Sequence, residues 1–351
     1  MTVEGRPDPD RIRRARADNP KMRERDLARI LGVSEGEFVA AFVGEGAARI
    51  EPRVNDLLNG LGACGEVMAL TRNESAVHEK IGPYDNVVTG KHNAMVLSSE
   101  IDLRIFPSAW AHGFRVEKKD EDGSSRMSLQ FFDAQGNAVH KVHQRPATDL
   151  GAFQALADSL AADDQSPVIE VSAPKAADND DEAVDRSGLR DRWAGMSDVH
   201  EFHGLLRSLK LSRHEAVKTV GEEFARRLDV SGLEAMMRHA AQDQIPIMCF
   251  VGNRGCIQIH SGPITTIRPM GPWINVMDPT FHLHLRNDHV SELWAVRKPV
   301  REGFVTSLEA YDEKGEMIIQ FFGKRKEGQD ERPEWRFLAE NLPQAVQSTA
   351  A

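Results

Sequence analysis

Cysteine is scarce in this chain: Cys64, Cys249 and Cys256 are the 3 in 351 residues. An odd count without Cys-x-x-Cys spacing excludes a disulfide framework and a thiolate metal centre, and reads as a reduced, cytosolic protein with buried thiols. Positive charge is also short, with 44 Lys and Arg against 54 Asp and Glu and a net charge of −10. That balance argues against nucleic acid as a partner, which calls for a dense basic face. No apolar run is long enough to span a bilayer, and Met1-Thr-Val-Glu-Gly-Arg-Pro7 has no apolar core of a signal peptide. No flavin or nicotinamide motif is visible, so any electrons for redox chemistry come from outside.

What the chain does have is an internal copy of itself. Thr71-Arg-Asn-Glu-Ser-Ala-Val-His78-Glu-Lys-Ile-Gly-Pro83 returns as Val251-Gly-Asn-Arg-Gly-Cys-Ile-Gln258-Ile-His-Ser-Gly-Pro263, 180 residues on. The same offset carries Ile101–Phe106 onto Phe281–Arg286, and an offset of 179 carries Ser128–Gly136 onto Ser307–Gly315. A duplication makes the positions that differ between the copies the place to look for a single functional site. The expected organisation is a first repeat over 1–162, an acidic linker over 163–188, a second repeat over 189–343 and a frayed tail over 344–351. Within the linker, Val168-Ile-Glu-Val171 is the one apolar run and a candidate closing strand.

Each repeat opens with helices. Ser34/Glu37 and Ser212/Glu215 form capping boxes, and helical segments follow over Val54–Leu61 and Leu233–Gln242. Alternating runs then predict strands: Val67–Thr71, Ala94–Leu97, Ile101–Phe106, Ser128–Phe132 and Ala138–Val142 in the first repeat. Ile247–Val251, Ile257–Ile259, Phe281–Leu285, Thr306–Tyr311 and Met317–Phe322 are their partners in the second. Gln135-Gly136 and Lys314-Gly315 mark hairpin turns. Helices first and strands afterwards indicate an α+β fold with large antiparallel sheets.

The repeats differ most instructively at Asp198-Val-His200-Glu-Phe-His203-Gly-Leu-Leu-Arg-Ser-Leu209. Asp198 reads as a helix cap, and Phe202, Leu205, Leu206 and Leu209 make one apolar stripe. His200, His203, Gly204 and Arg207 fall on the opposite face. The counterpart of His200 in the first repeat is Met22. Three readings fit that face: solvated histidines, a metal-binding pair lacking a third ligand, or an imidazole ligand to haem iron with Gly204 leaving room for a flat ring. His282 and His284 share a sheet face without a carboxylate partner and read as structural.

Taken with Arg72–Glu79, Asp102–Phe106, Phe250–Cys256, Asn275–Leu285, Trp294–Pro299 and Thr306–Glu309, the His200 block resembles the HemS/HmuS family of bacterial haem-handling proteins, also called hemin-degrading factors. The matching blocks keep one order over nearly the whole chain. The resemblance implies a duplicated α+β fold, each half a large antiparallel sheet with packed helices, with a haem cleft between the halves. The ligand, or substrate, is haem b. The family's axial histidine falls on His200, and its distal arginine falls on Arg104, which is the catalytic residue if the protein degrades haem. Its propionate-binding cations fall on Lys298 and Arg325. Phe322 stands where relatives often carry Tyr, so a hydroxyl contact to a propionate is absent. His203 is a substitute ligand, and His78 matches a proposed second haem site.

Arg and Lys pair with carboxylates, and neutral imidazole binds ferric iron, so the residue chemistry agrees with this mapping. Two functions follow from the resemblance. One is a cytoplasmic carrier that takes haem from an importer and passes it to an oxygenase. The other is an enzyme that opens the porphyrin with an external electron donor. A bare scaffold is the third possibility, and it predicts no Soret band on adding hemin.

Overall fold

Each repeat contributes the same ordered series of elements. In the first they are α1 (Pro9–Asp18), α2 (Glu24–Leu31), α3 (Glu35–Ala40), β1 (Ala47–Ile50), α4 (Val54–Leu61), β2 (Gly65–Arg72) and β3 (Ala76–Gly82). There follow β4 (Val87–Val88), β5 (Ala94–Leu97), β6 (Asp102–Ile105), β7 (His112–Lys119), β8 (Ser125–Phe132), β9 (Ala138–Thr148) and α5 (Leu150–Ser159). The second series is α6 (Leu189–Ala194), α7 (Glu201–Ser208), α8 (Arg213–Thr219), β10 (Ala225–Leu228), α9 (Gly232–Gln242), β11 (Ile247–Gly252) and β12 (Cys256–Gly262). It continues with β13 (Ile267–Met270), β14 (Trp273–Met277), β15 (Phe281–Arg286), β16 (Glu292–Val300), β17 (Gly303–Tyr311), β18 (Met317–Gly323) and α10 (Pro333–Glu340). The computed structural model describes residues 8–119, 123–173, 188–326 and 328–345.

The chain divides into two compact units. One holds Met1–Asn73, His78–Lys175 and Gly252–Gln258; the other holds Glu74–Val77, Ala176–Val251 and Ile259–Ala351. In the first, strands hydrogen-bond in the order β1-β7-β8-β9-β2-β3, with β4-β5-β6 as a second run. In the second the order is β10-β16-β17-β18-β11-β12, with β13-β14-β15 as the second run. The ladders are antiparallel in both units. The α+β class and the duplication therefore stand as expected.

Local chemistry explains why the copies fold alike. Glu37 Oε2 accepts from Ser34 N at 2.8 Å while Ser34 Oγ accepts from Glu37 N at 3.2 Å, and Ser212 and Glu215 repeat the pair at 2.9 and 3.2 Å. These reciprocal bonds satisfy amides that the first helical turn leaves open. The β8–β9 and β17–β18 hairpins turn on Asp133 and Asp312, whose Oδ1 atoms accept backbone N–H from Gln135 and Asn137, and from Lys314 and Glu316. Gly136 and Gly315 both take φ +77°, a conformation costly for any residue with a Cβ.

Asparagine at the repeated position closes the first unit. Asn73 Nδ2 donates to Gly252 O at 3.3 Å, and Asn253 Nδ2 donates to Arg72 O at 2.8 Å. Asn253 Oδ1 also accepts from Gly255 N and Cys256 N at 2.9 and 3.0 Å. Cys256 thus sits in the core of the first unit with Val67, Leu103, Phe131 and Phe153, whereas Ala76 sits in that of the second with Met236, Leu283 and Phe321.

Some expectations need correction. Val168–Val171 forms no strand; Ile169 is instead buried beside Phe114 and Phe132 in the first unit, and Asp164 and Gln165 bind Arg49. Residues 174–187 of the expected acidic linker lie outside the described residues, as do 1–7 and 346–351. Gln344 bridges to Leu228 and Ala345 N reaches Arg227 O, so that part of the tail is paired rather than frayed. All three cysteines are buried, and burial pushes the thiols up, Cys64 to about 11 and Cys256 to about 12, so they remain neutral.

Candidate functional site

Helix α7 turns one face inward and presents the other. Phe202, Leu205 and Leu209 are buried with Trp193, Val217 and Tyr311, while His203, Gly204 and Arg207 are exposed. His200 does not lie within the helix, as the spacing predicted, but caps it in near-helical backbone. Asp198 is therefore not the helix cap the sequence suggested, and the helix has no side-chain cap bond. The Oδ1 of Asp198 accepts His200 N at 2.8 Å and also faces His200 Nδ1 at 2.6 Å. Two bonds from one carboxylate fix the ring's direction and place the Nδ1 proton. They leave Nε2 outward, with no hydrogen bond to any described residue, on a side chain that is 81% exposed. An imidazole whose Nδ1 is held by a carboxylate and whose Nε2 is open is the arrangement of a metal-ligating histidine. The bonds from His200 hold the Asp198 carboxyl below its usual range, and Arg325 adds to that effect, which brings Arg325 to this end of the helix.

His203 stands on the same exposed face. Partial burial lowers its proton affinity most, and Arg213, Lys298, His200 and Arg207 lower it further, so the ring favours the neutral, ligating form.

Beneath the helix lies a charged cluster. Glu309, fully buried, accepts from Arg213 Nε and Nη2 at 2.8 and 2.6 Å, Lys298 Nζ at 3.1 Å, Ser307 Oγ at 2.7 Å and Tyr311 Oη at 2.6 Å. Arg213 and Lys298 both stand over the ring of Phe202, at 5.0 and 4.8 Å from its centre. Burial raises the Glu309 carboxyl, but Arg213 and Lys298 outweigh it and hold it well below the usual range. Burial, the largest influence on Lys298, draws that ammonium down to about 8 against the pull of Glu309. Both groups are charged at neutral pH. Lys298, expected as an outward cation, is thus 3% exposed and paired inside the unit. Phe322 lies on β18 opposite Ser307 and packs its edge on Phe250, and Arg325 donates to Gln329 O.

In the first unit, Arg104 projects from β6 beside Met95, on the face opposite the buried Leu103 and Ile105. It is 36% exposed and ion-paired with Asp102. Burial raises the Asp102 carboxyl, and Arg104 counters it. His78 is fully buried on β3, which leaves no surface at which an incoming iron could meet it without local opening. His284 Nδ1 faces Asn275 Oδ1 at 2.6 Å, in keeping with a structural role.

Sequence reasoning assigned Asp198 only a cap and overlooked Glu309 and Arg213. The signal for Glu309 was present: Ser128-Leu-Gln130 becomes Ser307-Leu-Glu309 in the copy, a neutral amide exchanged for a carboxylate at a core-facing position.

The model of the haemin-degrading HemS/ChuX domain matches twice, over residues 32–160 and 210–342. The chain belongs to the HemS/ChuX family. The hemin transport protein HemS of Yersinia enterocolitica is 42% identical over 327 residues, spanning 92% of this chain and 93% of that one. The haem-bound structure of PhuS, a haem-binding protein from Pseudomonas aeruginosa, superimposes with a TM-score of 0.92 at 43% identity, over 97% of this chain and all of the other. ChuS, described as a haem-degrading enzyme of Escherichia coli O157:H7, gives a TM-score of 0.88 at 35% identity, over 95% and 98% of the two chains. The two HemS/ChuX matches take in His78, Arg104, Lys298, Phe322 and Arg325 but pass over His200 and His203, which lie between them.

Proposed function

We propose that this protein binds haem as cargo, with His200 as the protein ligand to iron, and serves haem uptake and iron use in the cytoplasm. The observation that carries the reading is the Asp198–His200 pair: an anchored imidazole with its outer nitrogen open, at the start of a helix whose other face is committed to the core. Arg207 and Arg325 add cations to the same region, suited to carboxylates on the ring's edge. His203 supplies a second imidazole on the exposed face, so the iron passes from one nitrogen to the next during transfer without entering water. In this reading a separate importer delivers the haem, and a haem oxygenase is the receiving class. HemS, called a hemin transport protein, and PhuS, called haem-binding, support this reading.

Degradation by the protein itself is the second reading. ChuS is described as a haem-degrading enzyme, and Arg104 is a guanidinium held by Asp102 on the outer face of β6, able to donate hydrogen bonds to an oxygen ligand.

Titration with hemin, followed by absorbance, tests the proposal on the wild type, His200→Ala, His203→Ala and the double variant. A stoichiometric Soret band that shifts in His200→Ala and collapses in the double variant is expected. Four identical spectra would remove His200 from the site.

A further inference from the structure

The two repeats part company after their last shared strand. The β8–β9 and β17–β18 ladders keep one register, Ser128 opposite His143 and Ser307 opposite Phe322, so Gln144 corresponds to Gly323 at an offset of 179. The buried Phe153, Leu156, Ala157 and Leu160 then return as Trp335, Leu338, Ala339 and Leu342, at an offset of 182. The second repeat is therefore 3 residues longer between these points. The longer stretch carries Lys324, Arg325 and Lys326 in succession, where the first repeat has Arg145 alone before Pro146.

This stretch is also held differently. In the first repeat β9 runs on to Thr148, and the amide of Met127 is received by Gln144 Oε1 at 3.0 Å. At the equivalent Thr306, pairing with β18 has ended and the 330–335 segment takes its place. The buried Glu331 accepts Thr306 N at 2.6 Å and Thr306 Oγ1 at 2.8 Å, and Trp335 Nε1 donates to Thr306 O at 2.9 Å. Asp330 receives the Phe304 amide, and Arg336 donates to both carboxylates. These donors offset the desolvation of a carboxylate that would otherwise be costly to bury.

The same end of the sheet carries the histidine turn. Arg301, in the β16–β17 turn, donates its amide to Ser197 O at 3.1 Å, one residue before Asp198. Gly303 of that turn packs on Asp330, whose Oδ1 a Cβ would approach to 2.6 Å. Arg325 Nη1 donates to Gln329 O at 3.3 Å, and its charge is felt at Asp198. One hairpin end thus anchors both the turn that aims His200 and the stretch that carries Arg325. A rigid ring with iron at its centre and carboxylates on its edge requires that spacing to stay constant.

We propose that Glu331 is a positioning residue for the haem site. By standing in for a strand neighbour at Thr306, it holds Arg325 beside the His200 turn, where the guanidinium meets a propionate. The inference rests on the haem reading above for its ligand.

Hemin and hemin dimethyl ester, which lacks the propionate charges, are titrated against the wild type, Glu331→Gln, Arg325→Met and the double variant. Glu331→Gln is expected to weaken hemin about tenfold, the worth of one charge-assisted hydrogen bond, and to leave the ester unchanged. Removing a negative charge would by itself favour the anionic probe, so a loss marks lost position. The double variant is expected to lose no more than Arg325→Met alone. Hydrogen exchange on the ligand-free chain reads the contact directly: the Thr306 amide should exchange about tenfold faster, with α9 unchanged. Should Glu331→Gln not fold, Thr306→Val removes the hydroxyl donor alone and carries the same test with a smaller loss. Equal loss for both probes would make Glu331 a support of the fold alone and overturn the proposal. So would an unchanged hemin affinity, a Thr306 amide that keeps its rate, or losses that add in the double variant. A wild type that binds neither probe would instead sink the haem reading, and this assignment with it.

Discussion

The two repeats fill corresponding buried positions with different polar groups, Gln130 in the first and Glu309 in the second. In the first unit the buried histidines are neutral: His140 lies between Thr71 Oγ1 at 2.9 Å and Tyr84 Oη at 2.7 Å, and burial drops it to about 3 and His143 to about 4, while the buried Lys80 is ion-paired with Glu100. In the second unit a fully buried carboxylate, Glu309, gathers Arg213 and Lys298, and the buried Glu331 pairs separately with Arg336. One backbone plan, copied within one chain, thus tolerates both solutions. A neutral network needs only complementary hydrogen bonds, whereas a buried carboxylate has to gather cations to offset its desolvation.

The largest expected break of this comparison is loss of the anchored ligand. His200→Ala should lower hemin affinity by about 100-fold or more, or move the iron wholly to His203, as read by titration and Soret position. The reverse graft should fail. Met22→His places an imidazole at the equivalent point of the first repeat, but Pro20 stands where Asp198 would anchor it, so no additional Soret-active site is expected. Asp198→Asn comes next. It retains a backbone acceptor and loses the charge on Nδ1, and it should weaken hemin binding by about 10-fold.

Acid should tell the two units apart. His140 and His143 are neutral when folded and charge near 6.5 when unfolded, so the unfolded chain takes up protons first. Their contribution is complete above about pH 6.5 and erodes as the pH falls towards 4, and His140→Gln should flatten that part of the stability-against-pH curve. Glu309 has a depressed folded pKa, so its contribution is complete above the ordinary carboxylate range and is lost only at pH well below it. The smallest effect expected is from Phe322→Tyr. If the added hydroxyl reaches a propionate, hemin affinity rises by about fivefold or less, the value of one hydrogen bond, and that of the dimethyl ester does not change.

Much of the architecture was legible because the duplication doubled each weak signal. Capping boxes, Asp-centred hairpins and the alternation of Phe281–Leu285 could be read twice. Other elements were not legible. The interior of α1 is largely charged, and the end of β7, Glu117-Lys-Lys119, is polar throughout, so neither shows a periodicity to detect. Strands β1 and β10 are four-residue edges, too short for an alternation to stand out. At the site, a helix wheel could direct His203 and Arg207 outward but could not show that Asp198 grips His200. Nor could it show that Lys298 lies beneath Phe202, because the first depends on the turn taken just before the helix and the second on a neighbour distant in sequence.

The short segments that change places, Glu74–Val77 and Gly252–Gln258, bear on how such a protein is inherited. A gene cut between the repeats would encode a first half without Cys256 and Asn253, and a second half without Ala76. Each product would carry an incomplete core. The two copies are therefore expected to be inherited together, and a protein expressed from either half alone to fold poorly.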